Sequence, residues 1–96
     1  MTYILVLAPS VEKVLKKWKK SNPSVFEKAS KILGELVEHP RTGTGHPEPL
    51  KGKASITWSR RITAHDRIIY DIFEELVQVN VLEIEGHYND KYIVVF

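Results

Sequence analysis

Apolar and polar positions along the chain change period twice, and each change marks a boundary between elements. Thr2 to Ala8 is an apolar run rich in branched and aromatic residues, which predicts a strand ended by Pro9 and Ser10. Val11, Val14, Leu15 and Trp18 then recur at i, i+3, i+4 and i+7, the apolar stripe of a helix. Asn22 followed by Pro23 reads as an N-cap with proline at the first helical position. Val25, Ala29, Ile32, Leu33, Leu36 and Val37 carry helical spacing on to about Glu38, and Pro40 stops it. From Ala54 the period shortens. Ala54 to Arg61 alternates around Ile56 and Trp58, Arg67 to Phe73 is apolar enough for a central strand, and Leu76 to Ile84 has high β propensity. Glu74-Glu75 reads as a hairpin turn, and residues 91 to 96 (KYIVVF) as a last short strand. The predicted order is β-α-α-β-β-β with an extra C-terminal strand. This is an α+β domain, a helical hairpin lying on a mainly antiparallel sheet.

Ninety-six residues are expected to form one domain, residues 1–96. A hydrophobic fraction of 43% argues against disorder. No cysteine is present, which removes disulfides, thiolate metal sites and a cysteine nucleophile, and is compatible with a reducing cytosol. The apolar run Ile4 to Ala8 is too short to span a bilayer, and no basic residue precedes it, so neither a membrane span nor a signal peptide is expected. The net charge of +2 hides a polarised chain. Residues 12 to 20 carry five lysines (Lys13, Lys16, Lys17, Lys19, Lys20) against Glu12. Residues 39 to 67 carry six basic residues against Glu48 and Asp66, and residues 68 to 90 carry six acids with no lysine or arginine. Concentrated basic segments attract polyanions such as nucleic acid; solvated faces are the plainer alternative.

Between helix and sheet lies GTGHPEPLKG, residues 43 to 52, with three glycines, two prolines and Glu48 fixed between the prolines. Such residues hold a loop in one shape. Metal chemistry is not expected: His39, His46, His65 and His87 are not at ligand spacings, and the carboxylates form no oxygen cage. GTGH lacks the lysine-serine/threonine ending of a phosphate loop. An acid–base set without cofactor remains: Glu48 in the loop, Arg60, Arg61 and Arg67 at strand ends, and His87 with Tyr88 at another. RNA brings its own nucleophile, the 2′-hydroxyl, so a nuclease needs a base, an acid and positive charge. Positioned acid–base groups contribute roughly 10²–10⁴-fold. Each charge-stabilising donor adds on the order of 10²–10³-fold. Each position also admits a structural role: Glu48 as a solvent-facing loop residue, His87 as a strand-end residue, the arginines as counterions to the acidic segment.

GTGHPEPLKG, then WSRRITAHDRIIYDI, then GHY resembles the YoeB/Txe branch of the RelE toxin superfamily over about residues 30 to 88. The resemblance implies a ribosome-dependent mRNA endonuclease, the cytoplasmic toxin of a bacterial type II toxin–antitoxin pair. On the matching positions it implies Glu48 as general base on the 2′-hydroxyl and Arg67 as the arginine stabilising the phosphorane. It likewise implies His87 as general acid with Tyr88 beside it, Arg61 and Arg60 on phosphate, and Lys51 as a supporting cation. In that frame Lys13, Lys16, Lys17, Lys19 and Lys20 are candidates for contacting ribosomal RNA. The implied partners are a cognate antitoxin, the ribosome with its mRNA, and a second copy in a homodimer. Two features depart from the family pattern: Asp66 stands where a histidine commonly precedes the arginine, and NDKYIVVF extends the chain beyond Tyr88. Two other readings share the scaffold: a gyrase-inhibiting ParE-like toxin, and a catalytically silent antitoxin-binding protein.

Overall fold

The structure, a computed structural model, describes residues 2–50 and 56–84. Its elements run β1 (Ile4–Leu7), α1 (Pro9–Ser21), α2 (Pro23–Glu38), β2 (Glu48–Pro49), β3 (Thr57–Arg61), β4 (Arg67–Phe73) and β5 (Gln78–Glu83). The strands form one sheet in the order β1-β5-β4-β3-β2. Two helices on one sheet match the expected α+β architecture. The sheet is mixed: β1 pairs with β5 in parallel, and the other three pairings are antiparallel.

Both helices begin with proline at the first turn, where its missing N–H is no loss. Asn22 closes α1 and opens α2, with its backbone N–H on Trp18 and its carbonyl accepting from Phe26. Its side chain makes no capping bond to the helix; Ser24 Oγ donates to it instead, at 3.3 Å. The apolar stripes meet one face of the sheet. Val11, Trp18, Ala29, Ile32, Leu33 and Leu36 pack against Ile62, Ile68, Tyr70, Ile72, Val79 and Val81 in a single core. Each such aliphatic side chain contributes about 1.5–3 kcal/mol on burial. The opposite face of the sheet carries no helix among the described residues.

Two local expectations change. The loop after α2 contains a two-residue strand, in which Glu48 pairs with Ser59 and Pro49 with Trp58. Proline fits there because β2 is an edge strand and needs no outward donor. The Glu74-Glu75 turn is a 3₁₀ turn, Glu74–Leu76, closed by Val77 at φ 49°, so β5 starts at Gln78 rather than Leu76. The strand predicted at residues 91 to 96 lies outside the described residues.

Candidate active site on the open sheet face

The geometry of the site follows from strand parity. Side chains alternate across a strand, so Trp58, Arg60 and Ile62 point to one face while Ser59 and Arg61 point to the other. The register places Glu48 opposite Ser59, and Arg61 opposite Arg67. Four side chains from three strands therefore share the open face. Arg67 Nη1 lies 3.4 Å from Glu48 Oε1 and 3.5 Å from Ser59 Oγ. The Glu48 carboxylate is 59% exposed and the Arg67 side chain 25%, so the pair is open to solvent. A charge-assisted bond in tight geometry is about 2.7–2.9 Å. This looser contact leaves both groups accessible to a ligand.

Arg61 is exposed and stands directly across from Arg67. Like charges in that relation repel. Glu48 offers one negative charge against two positive ones, and the remaining positive charge suits a phosphate. The chemistry available is therefore a carboxylate able to take a proton beside two cations able to hold an anion.

The chain reaches this geometry through a sharp bend. Gly43, Gly45 and His46 all have positive φ (123°, 87° and 52°). A Cβ on Gly45 would lie 2.4 Å from the Arg61 carbonyl, so the loop can cross β3 here only with glycine. Gly45 O accepts from Arg61 N at 2.7 Å, which ties the bend to the strand.

Arg60 does not join its neighbour, and its expected phosphate role is corrected. The residue is fully buried on the helix face. Its Nε donates to Tyr70 Oη at 3.2 Å and its Nη1 to Glu35 Oε1 at 2.8 Å. Its Nη2 donates to the carbonyls of His39 and Thr42, and Nη1 also approaches that of Thr44 at 3.5 Å. Every nitrogen of the guanidinium is engaged, so none is left for RNA. Glu35 completes the group by accepting from Thr44 N at 2.8 Å and Thr44 Oγ1 at 2.7 Å. Burial alone would raise the Glu35 pKa, but the bonds from Thr44 and Arg60 outweigh it and hold the carboxyl below its ordinary range. Burial pushes the Tyr70 hydroxyl up, and its proton goes to Pro40 O at 2.6 Å.

Asp66 builds the β3–β4 turn: its carboxylate accepts from Thr63 Oγ1 at 3.0 Å, and its carbonyl accepts from Ile62 N. Lys13, Lys16, Lys17, Lys19 and Lys20 are exposed on α1, behind the sheet from Glu48. Lys51, His87 and Tyr88 lie outside the described residues. Sequence reasoning missed Ser59, which meets Arg67, and the Glu35–Tyr70 surroundings of Arg60. Parity would have found both, since Arg60 alternates with Trp58 and Ile62. Among the described residues no group of three His, Asp or Glu side chains is arranged to hold a metal, and no helix is long and apolar enough to cross a membrane.

A helical hairpin on one face of a mixed sheet, with a carboxylate and two arginines on the other, is a RelE-like α+β fold. Residues 10–88 match the family model described as YoeB-like toxin of bacterial type II toxin-antitoxin system. The chain belongs to that family. Toxin YoeB of Streptomyces coelicolor is 32% identical over 71 residues, covering 74% of this chain and 82% of the relative. The structure of the YoeB/ParE toxin from Agrobacterium tumefaciens superposes with a TM-score of 0.80 at 32% identity, covering 88% of this chain and 99% of that one. The YoeB dimer from Staphylococcus aureus, at 20% identity, shares the fold with a TM-score of 0.78 over 92% of this chain and 100% of that one.

Proposed function

We propose that this toxin is a ribosome-dependent endoribonuclease that cuts mRNA by acid–base chemistry, arresting translation in the bacterial cytoplasm. The observation that carries this reading is the Glu48 carboxylate 3.4 Å from Arg67 on an exposed sheet face, with Arg61 across the strand. Glu48 removes the proton of the RNA 2′-hydroxyl. The freed oxygen attacks the adjacent phosphorus, and Arg67 and Arg61 stabilise the pentavalent phosphorane. The bond from phosphorus to the 5′-oxygen breaks as His87 protonates the leaving oxygen, with Tyr88 orienting the RNA. The products are a 2′,3′-cyclic phosphate and a 5′-hydroxyl end. His87, Tyr88 and the supporting cation Lys51 take these roles from their matching motif positions. No cofactor enters the scheme, because the RNA provides the nucleophile.

The α1 lysines offer a second cationic surface, to the phosphates of ribosomal RNA, from behind the sheet. Charge contacts of this kind weaken as salt rises. A cognate antitoxin is the protein partner, as in the YoeB-YefM complex solved from Staphylococcus aureus. A homodimer is the second assembly, as in the YoeB dimer of the same organism.

The test is cleavage of one mRNA, free and on programmed 70S ribosomes, by wild type, Glu48→Gln and His87→Gln. Cuts that need the ribosome and fall to a small residual rate in both variants are the expected result. Growth arrest by a folded protein that cuts neither substrate would replace this reading with a gyrase-directed one.

A further inference from the structure

We infer that the buried Arg60–Glu35 pair sets the position of the Glu48 carboxylate, so that Arg60 and Glu35 are positioning residues for the cleavage step. This rests on the nuclease reading above. A fully buried arginine is costly, and a core needs none: well-packed apolar residues in place of a buried ion pair often leave stability unchanged or raised. The shape of the group points to a further role. Three carbonyls of one loop, those of His39, Thr42 and Thr44, converge on a single guanidinium. The planar fork of arginine can serve several acceptors at fixed angles; the point charge of lysine cannot. Glu35 grips the same loop from the helix side through both the amide and the hydroxyl of Thr44. Tyr70, bound to Arg60 Nε, holds Pro40 O.

The loop packs closely round the pair. A Cβ on Gly43 would meet Glu35 Oε1 at 2.4 Å and Arg60 Nη1 at 3.1 Å. From the clamped Thr44 the chain passes to Gly45, whose carbonyl is held by Arg61 N. Only His46, at φ 52°, and Pro47 then separate the clamped segment from Glu48. Proline fixes its own φ, so little backbone freedom remains to absorb a shift upstream. Movement of residues 42 to 45 is passed on to the carboxylate. A displacement of about 1 Å at a reacting group costs on the order of 10²-fold in rate.

The experiment places Arg60→Lys and Glu35→Gln in the wild-type and Glu48→Gln backgrounds. It measures ribosome-dependent kcat and KM, thermal unfolding, and hydrogen exchange at the Thr44, Gly45, His46 and Glu48 amides. The expected variants are folded and exchange faster at those amides by about tenfold or more. Their kcat falls about 10- to 100-fold with KM little changed. In the Glu48→Gln background neither change lowers the residual rate further, because residues that act through one group are not additive. Three results would overturn the inference: an equal fold-loss in both backgrounds, unchanged exchange and kcat, or unfolding of both variants. If the wild type cuts no RNA, the nuclease reading fails by itself. The exchange measurement then still decides whether the pair orders the Glu48 segment.

Discussion

Two arginine–glutamate pairs in this small domain are built for opposite ends. Arg60–Glu35 is tight, at 2.8 Å, with the arginine side chain fully buried and the glutamate 23% exposed. Arg67–Glu48 is loose, at 3.4 Å, with the partners 25% and 59% exposed. The first is surrounded by acceptors that use every nitrogen of the guanidinium. The second lies on the sheet face away from the helices, with a further arginine across the strand. A buried charge must be satisfied where it sits, so Arg60 is committed to the fold. An exposed pair in loose geometry contributes little to stability, in the range of about 0–1 kcal/mol, and stays available to a ligand. The two arginines sit on neighbouring strands, Arg60 on β3 and Arg67 on β4, but on opposite faces, so one meets a glutamate of α2 and the other a glutamate of β2.

The contrast breaks most sharply on truncation of the buried partner. Arg60→Ala removes the guanidinium from Glu35 and from three loop carbonyls and is expected to cost about 3–5 kcal/mol, read by urea unfolding. Arg67→Ala should move unfolding by less than about 1 kcal/mol. The same change should lower cleavage on the ribosome by about 10²–10³-fold. An Arg67 variant that unfolds, or an Arg60 variant as stable as wild type, would erase the distinction. Pro47→Ala and Pro49→Ala probe the link between the pairs: each should slow cleavage by about tenfold at near-normal stability, through looser placement of Glu48. Full activity in both would show that the prolines do not hold the base.

The smallest effect separates the pairs by pH. The Glu35 pKa is depressed in the fold by Thr44 and Arg60 against the opposing effect of burial. A depressed carboxylate contributes stability above its ordinary value of 4.5 and loses it as pH falls through the lower folded value. Acid should therefore weaken the protein below about pH 4.5, and Glu35→Gln should flatten part of that decline. The rest includes Glu74, whose carboxyl is held down by bonds from Arg41 and Tyr3. A melting-temperature profile from neutral to acid pH for both proteins measures the difference. Identical slopes would remove Glu35 from the account.

The helices and the strands β1, β3 and β4 are legible in the chain because their periods, 3.6 and 2, are local properties of side-chain direction. Val11 to Trp18 and Val25 to Val37 could only bury one stripe each as helices. The motif GTGHPEPLKG likewise marks Glu48 as a held residue before any fold is known, since glycine and proline act on their own backbone. The role of Arg60 was misjudged because two adjacent arginines look alike in a list of charges. Their parity was on view beside Trp58 and Ile62, but the acceptors were not. Those come from α2 and from the loop that follows it, 16 to 25 residues away in sequence.

The sequence by itself determined the two helices and the longer strands, the charge polarity of the chain and the candidate base, because each follows from neighbours within a few residues. Tertiary structure alone decided which arginine meets which glutamate. Register sets that choice. Pairing Glu48 with Ser59 and Arg61 with Arg67 assembles the site on the open face, while the same alternation turns Arg60 into the core. A slip of one residue in β3 would exchange their places, and nothing short of the packed sheet and its helices holds that register.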